Sequence, residues 1–136
     1  MILLDTNVLS EAMRVEPDKR VMSWLDSHAP SSLYVSAVTV DEISFGIELL
    51  PRGRKRLRLT HVFARIVDAF SDRIVPFDLD AANESARLRA QRRLKGAPMS
   101  LADSQIAGTA KSRGFSLATL NTRDFREIDL TLLEPR

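Results

Sequence analysis

The sequence predicts an α/β fold: a single three-layer α/β/α domain over residues 1–136, built on a mostly parallel central sheet. Three observations carry this. Met1-Ile2-Leu3-Leu4 is an apolar run that enters Asp5 with no turn residue between, as expected of a strand buried on both faces. Short β-type runs then alternate with longer helical stretches, the pattern of βα units with helices on both sides of a sheet. Residues 59–70 repeat apolar side chains at spacings of three and four, the clearest amphipathic helix in the chain.

The elements follow in order. After the first strand, Thr6 and Asn7 are candidate caps for a helix to about Met13. Pro17-Asp18 marks a turn, and a helix carries Val21, Met22, Trp24 and Leu25 to about Ser27. The β-branched and aromatic run Leu33-Tyr34-Val35-Ser36 reads as the second strand. Thr39 is expected to open a helix with Val40, Ile43, Ile47 and Leu50 on its core face, stopped by Pro51-Arg52-Gly53. The amphipathic helix comes next, with Leu59, Val62, Phe63, Ile66, Val67 and Phe70 inward. Arg73 to Phe77 forms a third strand that Pro76 confines to an edge or an end. Asp78 or Asp80 caps a basic helix ending near Gly96. Ser100 opens another, with Ala102, Ile106 and Ala110 inward, ending at Gly114. Phe115 to Thr119 is a fourth strand, a turn of helix follows around 123–125, and 130–133 adds a last strand.

Composition narrows the function. There are no cysteines, which excludes disulfides, thiolate metal sites and cysteine nucleophiles. His28 and His61 are the only histidines, too few for a histidine-rich zinc site, and each reads as a surface or helix-end residue. No stretch has the length of a membrane span, and the few apolar residues before Asp5 do not make a secretory leader. A soluble cytoplasmic protein with no membrane association is expected. The net charge is only +2. The cations are clustered, however, at Arg52, Arg54, Lys55, Arg56 and Arg58, and again at Arg87, Arg89, Arg92, Arg93 and Lys95. Such clusters suit a polyanion or a solvated helix face. Tyr34 and Trp24 have the surface for base stacking, but their apolar neighbours assign them to the core.

Four acids occupy comparable places. Asp5 follows the first strand, Glu42 lies early in the helix after the second, Asp103 falls in the first turn of the helix opened by Ser100, and Asp124 comes just after the fourth strand. Alone, each has a plain explanation. Thr39 to Glu42 and Ser100 to Asp103 have capping-box spacing, and acids in a first turn gain from the helix dipole. Together they suggest more, because a parallel sheet brings all four to one edge, where α/β ligand crevices lie. Two carboxylates 4 Å apart repel by about 4 kcal/mol at an effective dielectric of 20. A divalent cation relieves that repulsion, and an all-oxygen donor set suits Mg²⁺ or Mn²⁺.

These motifs resemble those of the PIN-domain ribonucleases. The resemblance rests on Asp5-Thr6-Asn7 after the first strand, Glu42 in the second βα unit, Asp103 followed by Ile106-Ala107, and Asn121 with Asp124-Phe125. Phe45 to Pro51 with Gly53 nearby, and Val75-Pro76-Phe77-Asp78, are similar to the toxins of VapBC-type toxin–antitoxin pairs, in the branch resembling FitB. The resemblance covers essentially the whole chain. It implies an endoribonuclease dependent on Mg²⁺ or Mn²⁺, with Asp5, Glu42 and Asp103 matching the acids that hold the metal. Asp124 matches a fourth acid of more variable role. Thr6 and Thr119 match hydroxyl positions beside the metal, and Asn121 matches a brace for the fourth motif. Two positions depart from the family pattern: Leu120 where arginine is common, and Ser104 where alanine is common. Neither removes a carboxylate.

The resemblance also implies an RNA substrate, a homodimer, and a cognate antitoxin that lays a segment in a groove and blocks the acidic site. Operator DNA is reached only through the antitoxin. Phe45 and Leu49 lie off the core face of their helix and are the candidate partner contacts. The rival reading is a catalytically silent PIN-like subunit acting through antitoxin and operator binding. A phosphate-binding NTPase and a dinucleotide-binding module are excluded by the missing glycine motifs.

Overall fold

A computed structural model describes residues 1–136. Five strands form one wholly parallel sheet: β1 (Ile2–Leu4), β2 (Leu33–Ser36), β3 (Ile74–Val75), β4 (Ser116–Ala118) and β5 (Leu132–Leu133). Their order is β3-β2-β1-β4-β5, so β1 is central. Leu4 pairs with Val35 on one side and with Ala118 on the other, and Asp5 leaves the sheet level with the end of β4 and one residue before β2 ends at Ser36.

The central place of β1 explains its unbroken apolar sequence. Ile2 and Leu4 face a core shared with Val8, Val21, Ile43, Ile47 and Phe63. These come from α1 (Thr6–Ala12), α2 (Lys19–Asp26), α3 (Ala37–Glu48) and α4 (Arg54–Ala69). Leu3 faces the opposite core with Leu88, Ile106, Ala107, Ala110 and Leu117, beneath α5 (Leu79–Leu94) and α6 (Leu101–Arg113). This is the expected α/β/α sandwich. No helix is long and apolar enough to cross a membrane.

Two helix starts differ from expectation. Asp5, not Thr6 or Asn7, caps α1, accepting the Thr6 N–H at 2.8 Å. The third helix begins at Ala37 with Ser36 as its cap, whose hydroxyl accepts the Val38 N–H at 3.0 Å. That takes the cap away from Thr39, which turns inward and is fully buried. The Thr39–Glu42 capping box therefore does not form, and Glu42 is released for other contacts. The Ser100 cap is as expected, its hydroxyl accepting the Asp103 N–H at 3.1 Å. The third strand is shorter than expected because β3 pairs only with β2 at the sheet edge, before Pro76.

Packing of α5 on α6 depends on Gly108. A Cβ there would meet the Ser85 backbone nitrogen at 2.5 Å and the Ala81 oxygen at 2.7 Å. Ser104, one turn earlier, is buried in the same contact. Its hydroxyl donates to the Leu101 carbonyl at 2.6 Å and accepts from Ser85 Oγ at 3.3 Å. Serine thus replaces the more usual alanine without leaving a polar atom unpaired.

Tyr34 packs on Phe115, with ring centroids 4.7 Å apart. Trp24 packs partly against the first core and stacks on His28 at 4.2 Å. Both aromatics serve the fold, as their neighbours in sequence indicated.

Candidate active site

The carboxyl ends of β1 and β4 and the first turns of α1 and α6 open onto one cleft of about 580 Å³. Asp5, Glu42, Asp103 and Asp124 all line it, with Thr6, Asn7 and Leu120. The structure thus brings together the four acids singled out from sequence.

Asp5 is buried, with one side-chain oxygen accepting from the Thr6 N–H and the other from the Thr119 hydroxyl at 2.8 Å. Thr119 is itself held by two donors, Asn7 Nδ2 at 3.3 Å and the Asn121 N–H at 3.0 Å. Asn7 Oδ1 accepts the Leu120 N–H at 3.1 Å. Asn7 therefore ties α1 to the end of β4. Thr6 Oγ1 donates to Glu42 Oε1 at 2.7 Å and lies 3.0 Å from the Thr39 hydroxyl. Asn121 Nδ2 donates to Asp124 Oδ2 at 2.7 Å. The supporting residues read from sequence each hold one of the acids or its neighbour.

The electrostatics are those of an acidic cluster in which none of the acids is ion-paired. Burial pushes the Asp5 carboxyl up to about 6, against the hydrogen bonds from Thr119 and Thr6, and the charges of Asp103 and Glu42 push the same way. Burial also raises Asp103. Its Ser100 hydrogen bond opposes this, the Asp124 and Glu42 charges add to it, and the Arg92 charge lowers it. None of the eight ion pairs in the molecule includes any of the four acids.

No three acidic or histidine side chains form a ready-made metal cage. The donor set nevertheless fits a hard cation that keeps most of its water, as Mg²⁺ does when held by one or two carboxylates. All available ligands are oxygens, and buried negative charge without a counter-ion is costly.

A family model described as PIN domain matches residues 2–130. The chain is a PIN-domain protein. Among its relatives is the VapC ribonuclease Y4jK of Sinorhizobium fredii (strain NBRC 101917 / NGR234), 40% identical over 136 residues that cover 99% of this chain and 97% of the relative. Toxin FitB of Neisseria gonorrhoeae (strain ATCC 700825 / FA 1090) is also 40% identical, covering 99% of this chain and 98% of the toxin. The structure of FitAB bound to an IR36 DNA fragment matches with a TM-score of 0.92 at 40% identity, covering 99% of this chain and 95% of that one. This PIN-domain protein is therefore of the VapC type, in the FitB-like branch.

Three further residues line the cleft of the PIN domain without having been picked out in sequence: Ser10, Glu11 and Arg14. Ser10 and Glu11 follow Asn7 at i+3 and i+4 and so share its helix face, while Arg14 lies just past the end of α1. That spacing is a usable signal. Glu11 accepts the Asp18 N–H at 3.0 Å and pairs with Arg14 at 3.3 Å. Leu120 makes one wall partly apolar where the family often has arginine, while Arg136 Nη2 approaches the Leu120 carbonyl at 3.5 Å.

The basic clusters are divided by the fold. Arg56 binds Glu48 and the Leu50 carbonyl, Arg58 donates to the Met13 carbonyl, and Arg87 pairs with Glu84. Arg92 is buried, its guanidinium donating to backbone carbonyls. Arg89 and Arg93 remain exposed, flanking a depression lined by Ala86, Ala90, Pro98 and Met99.

Phe45 and Leu49 are 61% and 69% exposed. A separate groove of about 350 Å³ lies along α3, lined by Ile43, Gly46, Ile47 and Leu50 together with Met13 and Leu59. It shares Thr6, Ser10, Arg14 and Glu42 with the acidic cleft. The two candidate partner residues thus stand beside this groove and do not line it.

Proposed function

We propose that this PIN-domain protein is an endoribonuclease that hydrolyses RNA phosphodiester bonds with Mg²⁺ or Mn²⁺, and that it is the toxin of a type II pair neutralised by a cognate antitoxin. The observation that carries the reading is the convergence of Asp5, Glu42, Asp103 and Asp124 on one cleft with no basic side chain paired to any of them. The names of the relatives, a VapC ribonuclease and a toxin, support the ribonuclease and toxin parts of it.

In this reading Asp5, Asp103 and Glu42 would surround the cation, directly or through waters it retains, with Asp124 as the fourth acid. A divalent cation bound there supplies an activated water and offsets charge on the phosphate. The chain's own part is preorganisation. Thr119 and the Thr6 N–H fix both oxygens of Asp5, so that carboxylate does not reorient during the reaction. Thr6 holds Glu42 through Oε1 alone. Oε2 makes no protein hydrogen bond, which leaves it for the cation or for the proton released as water attacks phosphorus. Asn121 holds Asp124 at the cleft edge. Exposed arginines such as Arg89 and Arg93 bind flanking phosphates in a salt-sensitive, sequence-independent way.

The antitoxin would cover the exposed Phe45 and Leu49 and extend into the apolar groove beside α3, which opens directly into the acidic cleft. Operator DNA would then be bound by the antitoxin, with the toxin a homodimer. The test is cleavage of a mixed RNA panel by protein freed of antitoxin, with Mg²⁺, Mn²⁺ or EDTA. Cutting that needs metal and disappears in Asp103→Asn, with the fold retained by circular dichroism, is the expected result. Full activity of that variant removes Asp103 from the site. No cutting by any preparation favours the silent-subunit reading.

A further inference from the structure

The buried stripe of α5 runs Ala81, Ser85, Leu88 and then Arg92. An apolar residue is expected in the fourth place, since Leu88 one turn earlier is completely buried. Arg92 is only 7% exposed and has no carboxylate within ion-pair distance. Removing a guanidinium from water without a close counter-charge is costly, and a well-packed hydrophobic residue is often at least as stable in such a place. The position calls for an explanation beyond packing.

The hydrogen bonds supply one. Arg92 Nε donates to the Ala97 carbonyl at 2.7 Å. Its Nη1 donates to the Asp124 carbonyl at 2.8 Å and to the Arg126 carbonyl at 3.0 Å. Ala97 belongs to the short connection that leads to Ser100 and so to Asp103 in the first turn of α6. Asp124 lies in the 3-10 turn Thr122–Phe125. One rigid, planar group therefore grips both segments that deliver acids from this side of the cleft. Asp124 is doubly held, its backbone by Arg92 and its side chain by Asn121.

We propose that Arg92 is a positioning residue of the RNA-cleaving site, setting where Asp124 and Asp103 stand relative to each other, and that it does not contact phosphate. The proposal rests on the nuclease reading above. A guanidinium suits the task because its donors diverge in a fixed plane, whereas a lysine ammonium is a point charge on a flexible stem. Outer residues that orient ligands around a metal site typically change metal affinity or activity by 10- to 100-fold when replaced.

The test compares wild type, Arg92→Ala and Arg92→Lys as full chains freed of antitoxin. Five quantities are read: kcat and KM on a short single-stranded RNA that the wild type cuts, affinity for that RNA in EDTA across a salt series, Mn²⁺ affinity, and amide exchange at Asp124 and Arg126. Lysine keeps the charge and most of the stem, so it covers the case in which Arg92→Ala does not fold. The expected result for Arg92→Lys is a kcat lower by about 10- to 100-fold with KM and RNA affinity within about twofold of wild type. Exchange at Asp124 and Arg126 should quicken at the same time. Raised KM, weaker RNA binding and a shallower salt dependence at unchanged kcat would make Arg92 a phosphate contact and overturn the proposal. An Arg92→Lys chain that does not fold would mark a fold clamp only, and also overturns it. Should the wild type cut no RNA, the nuclease reading fails on its own. Unchanged amide exchange and Mn²⁺ affinity in Arg92→Lys would then still refute the positioning role.

Discussion

Asp5 shows how much of the site is set at the level of one side chain. It closes the central strand, caps α1 and lies among acids, and burial pushes its carboxyl up to about 6 from an ordinary 3.8. The folded chain then holds this proton more tightly than the unfolded chain, so the associated stability is fully present below the unfolded value. It is lost as pH rises through the folded one. A shift of this size corresponds to at most about 3 kcal/mol. In EDTA, the stability of wild type relative to Asp5→Asn should therefore fall as pH is raised from about 4 to about 7, read by urea denaturation at each pH. A constant difference across that window would show that Asp5 is not destabilised by ionisation. Asp5 and Asp103 were legible in sequence because each sits at an unmistakable strand end or helix start. The hydrogen-bond partners were less so. Asn7, taken for a cap, instead bridges to Thr119 and Leu120, more than a hundred residues away, and local spacing carries no information about such contacts.

Among the elements, the α5–α6 pair determines where Asp103 stands. The sequence shows Gly108 as an ordinary helix glycine. Only the packed structure shows that the α5 backbone passes so close that a methyl group has nowhere to go. Gly108→Ala should push α5 away and cost about 1–3 kcal/mol, as overpacked contacts do, despite the better helix propensity of alanine. Chemical denaturation measures this directly. Unchanged or increased stability would mean that the helix pair relaxes without strain. The start of α3 carries a similar lesson. Ser36 and Thr39 both precede helical sequence and both can cap. Ser36 does so because β2 ends there, with Ser36 still paired to Val75. Moving the helix start three residues earlier turned Glu42 from a supposed cap partner into the acid held by Thr6.

Across the whole molecule, one end of the sheet gathers the acids while the adjoining face of α3 offers apolar surface. Phe45 and Leu49 project from that helix beside the groove that runs into the cleft. Phe45→Glu places a charge on this surface without touching any residue that lines the cleft. Antitoxin affinity, measured by calorimetry, should fall by tenfold or more, about 1.4 kcal/mol, while RNA cleavage by the free toxin stays unchanged. Unaltered affinity would confine the antitoxin to the groove beside α3.

The order of strands and helices, the buried character of β1 and the identity of the four acids could be read from the chain. Each depends on local patterning: apolar runs, helical spacing and carboxylates placed at element ends. The burial that raises Asp5, the Thr6–Glu42 contact, the Gly108 approach and the inward turn of Arg92 from a basic helix were decided only on folding. All four depend on residues distant in sequence becoming neighbours across the sheet or between helices. The periodicity of one segment cannot specify what a different segment will bring against it.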